Sequence, residues 1–240
     1  MRTRRSFERP EGIRSAKLIV IASEGRKTES IYFEALRDTI ALSNVIIKVL
    51  KRDNNQSSPA DVLAQLKDFK SQYSLEGDDE LWMVIDRDKW TDKMLADVAR
   101  QCMQDRYLHI ALSNPCFELW LLLHLEDVTS MNDEEKIKLL ENKRESKNGD
   151  PWLKKRLRLR MGSYQESNYD TSLLLPHVER ARKRAKELDS IKSHRWPQEI
   201  GTRVYRIIDS IHFANYNKEN DLKKTRSLKI ISPINTYWLK

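Results

Sequence analysis

Two short apolar runs in this chain end in carboxylates. Leu18 to Ser23 leads into Glu24-Gly25, and Leu81 to Ile85 leads into Asp86-Arg87-Asp88. Runs of this length with β-branched residues read as buried parallel strands. Open parallel sheets bind ligands at the carboxyl ends of their strands, so Glu24, Asp86 and Asp88 are predicted to converge on one spot. Three carboxylates in a small volume repel one another, and a hard divalent cation with oxygen ligands would offset that. Taken alone, Glu24 reads equally as a metal ligand or general base and as an exposed turn acid. Gly25 beside it suits the backbone of a tight turn. Alternation along an extended segment puts Asp86 and Asp88 on one side, where they can share or bridge metals. The plainer alternative is a polar turn pairing with Arg87 or Lys89.

A third constellation is Ser113-Asn114-Pro115-Cys116-Phe117-Glu118-Leu119-Trp120. Asn114 is expected to cap a helix running to about Leu125. Glu118 stands in an otherwise apolar helical run, and a buried glutamate is costly unless it is paired or bound to a cation. The preceding strand ends at the same sheet edge, so Glu118 can reach the same site; a structural salt bridge is the alternative. Arg26, Lys27 and Thr28 open a helix, and a helix N-terminus with cations nearby suits a phosphate. A simple Thr28 cap and a solvated Lys27 are the bland counterparts. His124 reads as a packed or partly exposed histidine.

The elements that must position these residues alternate. Strands are expected at 17–23, 45–50, 80–85 and 109–113. Helices are expected at 28–41, from Ser58-Pro59 with a capping box closed by Asp61, at 91–104 and at 114–125. That order predicts an α/β fold: a parallel sheet with helices on both faces. Residues 1–14 read as a disordered basic arm, 15–127 as the catalytic core, and 128–240 as a mainly helical basic extension packing on it. In the extension a long charged helix is expected at 173–191 and another at 200–213. The role of residues 214–240 is left open.

The chain has 240 residues and a net charge of +8, unevenly spread. Residues 1–20 carry +4, 143–160 carry +6 and 180–195 carry +5, which leaves −7 elsewhere. An acidic centre flanked by basic segments suits a metal-dependent enzyme on a polyanion, with cations holding the phosphate backbone. Lys154, Lys155, Arg156, Arg158 and Arg160 are the leading backbone-binding candidates on charge. Charge runs are also commonly just solvated faces. No apolar run approaches the roughly 20 residues that span a bilayer, no signal segment is evident, and a cytoplasmic protein is expected. The two cysteines, Cys102 and Cys116, lie in apolar-periodic segments and predict neither a disulfide nor a zinc site. There is no phosphate-binding glycine loop, dinucleotide fingerprint or nucleophile elbow.

The Glu-Gly after strand one and the Asp-x-Asp after strand three resemble the Toprim fold of topoisomerases, primases and OLD-type nucleases. A finer resemblance is to the RloB family. It is carried by Glu24-Gly25-Arg26-Lys27-Thr28-Glu29 with Tyr32-Phe33, by Val84-Ile85-Asp86-Arg87-Asp88, by Ala111 to Trp120 through His124, and by Pro197, Thr202 and Val204. The resemblance covers roughly residues 15–212. It implies a Toprim-like core in a bacterial or phage-encoded protein associated with anti-phage defence, often beside an AAA-type ATPase. By carry-over, Glu24, Asp86 and Asp88 would hold Mg²⁺ (or Mn²⁺), with Glu118 and Glu29 adding ligands. Glu29 stands one residue further from Glu24 than in the OLD pattern.

Together these features lead to an expected Mg²⁺-dependent nuclease acting on DNA or RNA, tRNA included. Glu24, Asp86, Asp88 and Glu118 would form its catalytic set, and Glu24 or Glu118 could serve as base. The competing expectation is a non-catalytic nucleic-acid-binding regulatory subunit working through an ATPase. Homodimerisation is left open, and no membrane partner is expected.

Overall fold

All seven residues of the strand Lys17–Ser23 are buried, as suits an interior strand with a neighbour on either side. A computed structural model describes residues 5–8, 16–39, 44–51, 57–87 and 89–214. In chain order the elements are β1 (Arg5–Ser6), β2 (Lys17–Ser23), α1 (Thr28–Thr39), β3 (Val45–Val49), α2 (Pro59–Gln72), β4 (Tyr73–Ser74) and β5 (Glu80–Asp86). There follow α3 (Asp92–Met103), β6 (Leu108–Asn114), α4 (Glu118–Leu125), α5 (Asp133–Glu141), α6 (Trp152–Met161), α7 (Val178–Leu188) and β7 (Gly201–Thr202). A further helix, α8, covers 205–214.

The main sheet has the order β3-β2-β5-β6-β7. β2 pairs in parallel with β3 and β5, and β5 with β6. Residue alternation then sends Leu18, Val20, Leu81 and Met83 to one face, under α2 and α3. Ile19, Ile21, Trp82 and Val84 go to the other face, under α1 and α4. The expected α/β fold is therefore present. The Ser58 hydroxyl and Asp61 carboxylate form the expected capping box of α2. Lys17 stays inside β2 because Glu80 meets its Nζ at 2.6 Å. Burial tends to raise the Glu80 pKa, but bonds from Lys17, Ser210 and Trp82 outweigh it and hold it below the ordinary range.

α4 explains how the second half of the chain attaches. It is apolar on every side, as suits a helix enclosed all round. Seven of its residues, Glu118 to His124, are buried. The sheet covers one side, and α6 and α7 cover the others. Leu153, Leu157, Ala181, Ala185 and Ile207 belong to the same apolar cluster as Ile19 and Trp120. His124 is fully buried, bonded to the Tyr32 hydroxyl at 3.0 Å and the Trp120 carbonyl at 2.9 Å. Burial pushes its pKa down to about 4, so it is a neutral core residue.

Four expectations need correction. Residues 1–14 are not uniformly an unstructured arm: Arg5–Ser6 pair in parallel with Tyr73–Ser74, and Phe7 packs on Tyr73 at 5.7 Å between ring centroids. The helix expected over 173–191 is α7 alone, preceded by two 3₁₀ turns at Thr171–Leu173 and Leu175–His177, because Pro176 cannot continue an α-helical ladder. Residues 200–213 contain a short strand before the helix: β7 joins the sheet edge antiparallel, with Ser113 opposite Thr202. Asn114 does not cap α4. It ends β6, before a cis bond to Pro115. Its amide donates to the carbonyls of Gln198 at 3.0 Å and Glu199 at 2.9 Å, with Pro197 further away at 3.4 Å. Residues 214–240 are described only at 214, so the open role of this tail lies outside the described residues.

Asn114 thus fastens the turn that feeds β7. Asn114→Ala removes the donor from the Gln198 and Glu199 carbonyls, whose bonds to it are only partly buried, and the expected loss of stability is about 1 kcal/mol. Urea unfolding followed by circular dichroism checks this; an unchanged midpoint would show that the turn is held by other contacts.

Candidate active site

Where β2 and β5 end side by side, the Glu24 amide donates to the Val84 carbonyl at 2.9 Å and continues the ladder one residue past the strand. This fixes Glu24 beside Asp86. Its carboxylate is 5% exposed, and Oε2 accepts from the Asp86 amide at 3.3 Å and from Trp90 Nε1 at 2.8 Å. Lys89 Nζ lies 3.7 Å from Oε1. Arg87 turns outward to Asp92 at 3.0 Å. Of the two alternatives for Glu24, the exposed turn acid is therefore excluded.

Glu29 sits in the first turn of α1 and is 3% exposed. Its Oε1 accepts from the Gly25 amide at 2.9 Å. A Cβ at position 25 would lie 1.9 Å from Glu29 Oε2. Gly25 is needed for that close approach; the only left-handed glycines among the described residues are Gly77 and Gly162. Burial pushes the Glu29 carboxyl up to about 7, with the charges of Glu118 and Glu24 adding to the rise and backbone hydrogen bonds opposing it. Glu118 opens α4 at 8% exposure and accepts from the Tyr164 hydroxyl at 3.4 Å. Among the described residues no cation pairs with it, so the structural salt bridge considered for it is absent.

Glu24, Glu29, Asp86 and Glu118 line one cavity of about 790 Å³. The structure brings together Glu24, Asp86 and Glu118, expected at this edge from the strand ends, and Glu29, expected from the family resemblance. Asp88 lies outside the described residues. Arg26, Lys27 and Thr28 also line the cavity. Thr28 donates from Oγ1 to the Glu166 carbonyl at 3.3 Å, and its own carbonyl accepts from the Tyr169 hydroxyl at 2.7 Å.

The basic run on α6 divides. Lys154 faces the cavity, in an ion pair with Glu166. Lys155 pairs with Glu145 at 2.6 Å and Arg158 with Asp150 at 2.6 Å. Arg156 and Arg160 both bind Glu126. Burial works to raise the Glu126 pKa, but these two arginines override it and hold it at about 2. None of these last four cations reaches the cavity. Sequence reasoning missed Trp90, Asn142, Arg144, Tyr164 and Glu166. Trp90 stands two residues beyond the Asp-x-Asp and could have been suspected. The others come from the second half of the chain, and no local pattern marks them.

The donor set is all oxygen and suits a hard cation such as Mg²⁺ or Mn²⁺. The side chains are not gathered around a point: no group of three or more carboxylate, imidazole or thiol side chains among the described residues is positioned to enclose an ion. Glu24 and Asp86 are the adjacent pair, with Glu29 and Glu118 across the same recess.

The fold and its recess define a class, an α/β protein with a carboxylate-lined cavity at the carboxyl edge of a parallel sheet. The RloB-like protein family model matches residues 19–211, most of the chain, and the protein belongs to that family. Comparison with curated proteins and with solved structures finds no match. Among the described residues no helix is long and apolar enough to cross a membrane.

Glu29 gives a pH test. Its carboxyl titrates at about 7 in the folded chain against an ordinary 4.5, so the folded state holds the proton more tightly. This contribution to stability is full below pH 4.5 and is lost as pH rises through about 7, by up to roughly 3 kcal/mol. In chelator, urea midpoints measured across this range should fall for the wild type and fall less for Glu29→Gln. Added Mg²⁺ should counter the fall if Glu29 is a ligand, since cation binding displaces the proton.

Proposed function

We propose that this protein is a divalent-metal-dependent phosphodiesterase that cleaves nucleic acid, of the Toprim type that its sequence resembles. The observation that carries this reading is the recess itself: four carboxylates, three of them buried, at the ends of β2 and β5 and the starts of α1 and α4, in a cavity that also presents Arg26, Lys27, Arg144 and Lys154. A cavity serving only to bind a polyanion would gain nothing from four acids beside the phosphates. A bound divalent cation would supply charge stabilisation at phosphoryl oxygens and a more acidic water. Glu24 and Asp86 would hold it, with Glu118 and Glu29 as further oxygen donors. Lys27, Arg144 and Lys154 supply positive charge for the phosphate chain. Trp90 orients Glu24 through its indole N–H. A role as effector in anti-phage defence, with an AAA-type ATPase partner, is supported by the family resemblance.

Two observations favour a second reading, a non-catalytic nucleic-acid-binding subunit. Glu24 is already engaged by Trp90 and Lys89, and no ion-enclosing group of three ligands is present among the described residues.

Labelled single-stranded and double-stranded DNA and RNA, incubated with Mg²⁺ or Mn²⁺, separate the two readings. Cleavage is expected with metal and not in EDTA. Glu24→Gln and Asp86→Asn are each expected to lower the rate at least a hundredfold while leaving the fold intact by circular dichroism. Binding without cleavage by the wild type, alone and with an ATPase encoded beside it, would favour the second reading.

A further inference from the structure

The cavity has two walls of different origin. One comes from the turns after β2 and β5 and from the start of α1, with Lys27 exposed on it. The other comes from residues 142–166, with Arg144 and Lys154. The walls are joined across the Thr28–Glu166 and Tyr169–Thr28 hydrogen bonds. Three of the four carboxylates lie recessed between them: Glu24, Glu29 and Glu118 are 8% exposed or less, while Asp86 is half-buried. A phosphate lying across the mouth would not meet the three recessed acids; the chain that carries it must enter.

At about 790 Å³ the recess is the size of a small-ligand pocket, not of a groove that seats a helix. A duplex is stiff over about 50 nm, so one of its phosphates cannot be drawn into a recess without local distortion. Extracting a nucleotide from the stack has a cost that an already unpaired strand avoids. Cations along a channel are how proteins track an unpaired backbone.

We infer that this cavity takes an unpaired nucleic-acid strand, with its phosphates between Lys27 on one wall and Arg144 and Lys154 on the other, and that it rejects continuous duplex. The inference rests on the proposed function only in taking nucleic acid as the ligand. Arg144 lies outside the basic run on α6 that sequence charge pointed to, and Lys154 is separated from the rest of the α6 cations, which face carboxylates outside the cavity.

The test uses the full chain and a fluorescein-labelled 20-nucleotide DNA and RNA, single-stranded or annealed to its complement, in EDTA so that metal-dependent cleavage does not intervene. Fluorescence anisotropy should show the single strand bound at least tenfold more tightly than the duplex. Arg144→Ser/Lys154→Gln should weaken single-strand binding about tenfold or more. It should also reduce the slope of log affinity against log salt by about 1.4, since each single-strand phosphate contact contributes roughly 0.7. Lys155→Ala/Arg158→Ala, outside the cavity, should stay within twofold of wild type. If the double variant fails to fold, the exposed Arg144→Ser alone serves, with half the change in slope.

Equal or tighter duplex binding overturns the inference, as does an unchanged affinity for the cavity variant, an equal loss in the α6 control, or competition by a mononucleotide as strong as by the strand. Cleavage with Mg²⁺ is scored separately. Preferential strand binding without cleavage removes the phosphodiesterase reading and leaves this inference standing. Equal cleavage of both forms removes this inference and leaves the phosphodiesterase reading.

Discussion

Mutual repulsion among buried acids is the constraint that organises this molecule. Glu24, Glu29 and Glu118 sit in one recess with almost no contact with water, and isolated buried carboxylates are not tolerated. The chain meets this with nearby donors rather than with fully enclosed ion pairs. Trp90 and the Asp86 amide serve Glu24, the Gly25 amide serves Glu29, and Tyr164 serves Glu118. These donors do not offset everything: burial first, and the charges of Glu118 and Glu24 after it, make Glu29 keep its proton to higher pH. A site that is incompletely neutralised by its own protein is poised to accept positive charge from outside.

Meeting that constraint requires the second half of the chain. Tyr164 and Tyr169 lie beyond α6, yet both reach the recess, and burial raises the pKa of each so that both remain hydroxyl donors. They can do so because α6 and α7 are locked on α4 by apolar packing, and α4 itself begins with Glu118. Burial of a leucine-sized side chain is worth roughly 1.5–3 kcal/mol. Leu153 and Leu157 on α6, both fully buried, therefore hold the second wall of the cavity more firmly than its polar contacts alone could. The basic second half is not an appendage to a finished site: it supplies donors, cations and the wall opposite the strand ends.

Local pattern revealed what local physics decides. The apolar runs of β2 and β5 and the Ser58–Asp61 capping box leave marks within a few residues, and so did the acids that follow the strands. Glu118 was legible because a lone acid in an apolar helix demands an explanation. Asn114 misled, since an asparagine before a helix is ordinarily a cap; here its partners are the Gln198 and Glu199 carbonyls, more than eighty residues away. β7 was missed because two residues carry no period. Gly25 was read for its backbone freedom, whereas its role is to leave room for the Glu29 carboxylate.

The α6 cations show why charge counted along a sequence is a weak guide to a binding surface. The segment 143–160 holds the densest positive charge in the chain, yet four of its five leading candidates are directed at Glu126, Glu145 and Asp150. Glu126 alone absorbs Arg156 and Arg160, and its depressed pKa shows that it stays ionised to do so. An arginine fixed in such a pair must surrender a charge-assisted bond before it can meet a phosphate, so its net contribution to binding is small. Arg144, by contrast, is exposed on the cavity wall, and Lys154, though paired with Glu166, makes that pair within the cavity lining itself. One turn of helix separates Lys154 from Arg158 on the same helical face, and what sets them apart is position along the axis and partner, since Arg158 lies outside the cavity lining and is held by Asp150.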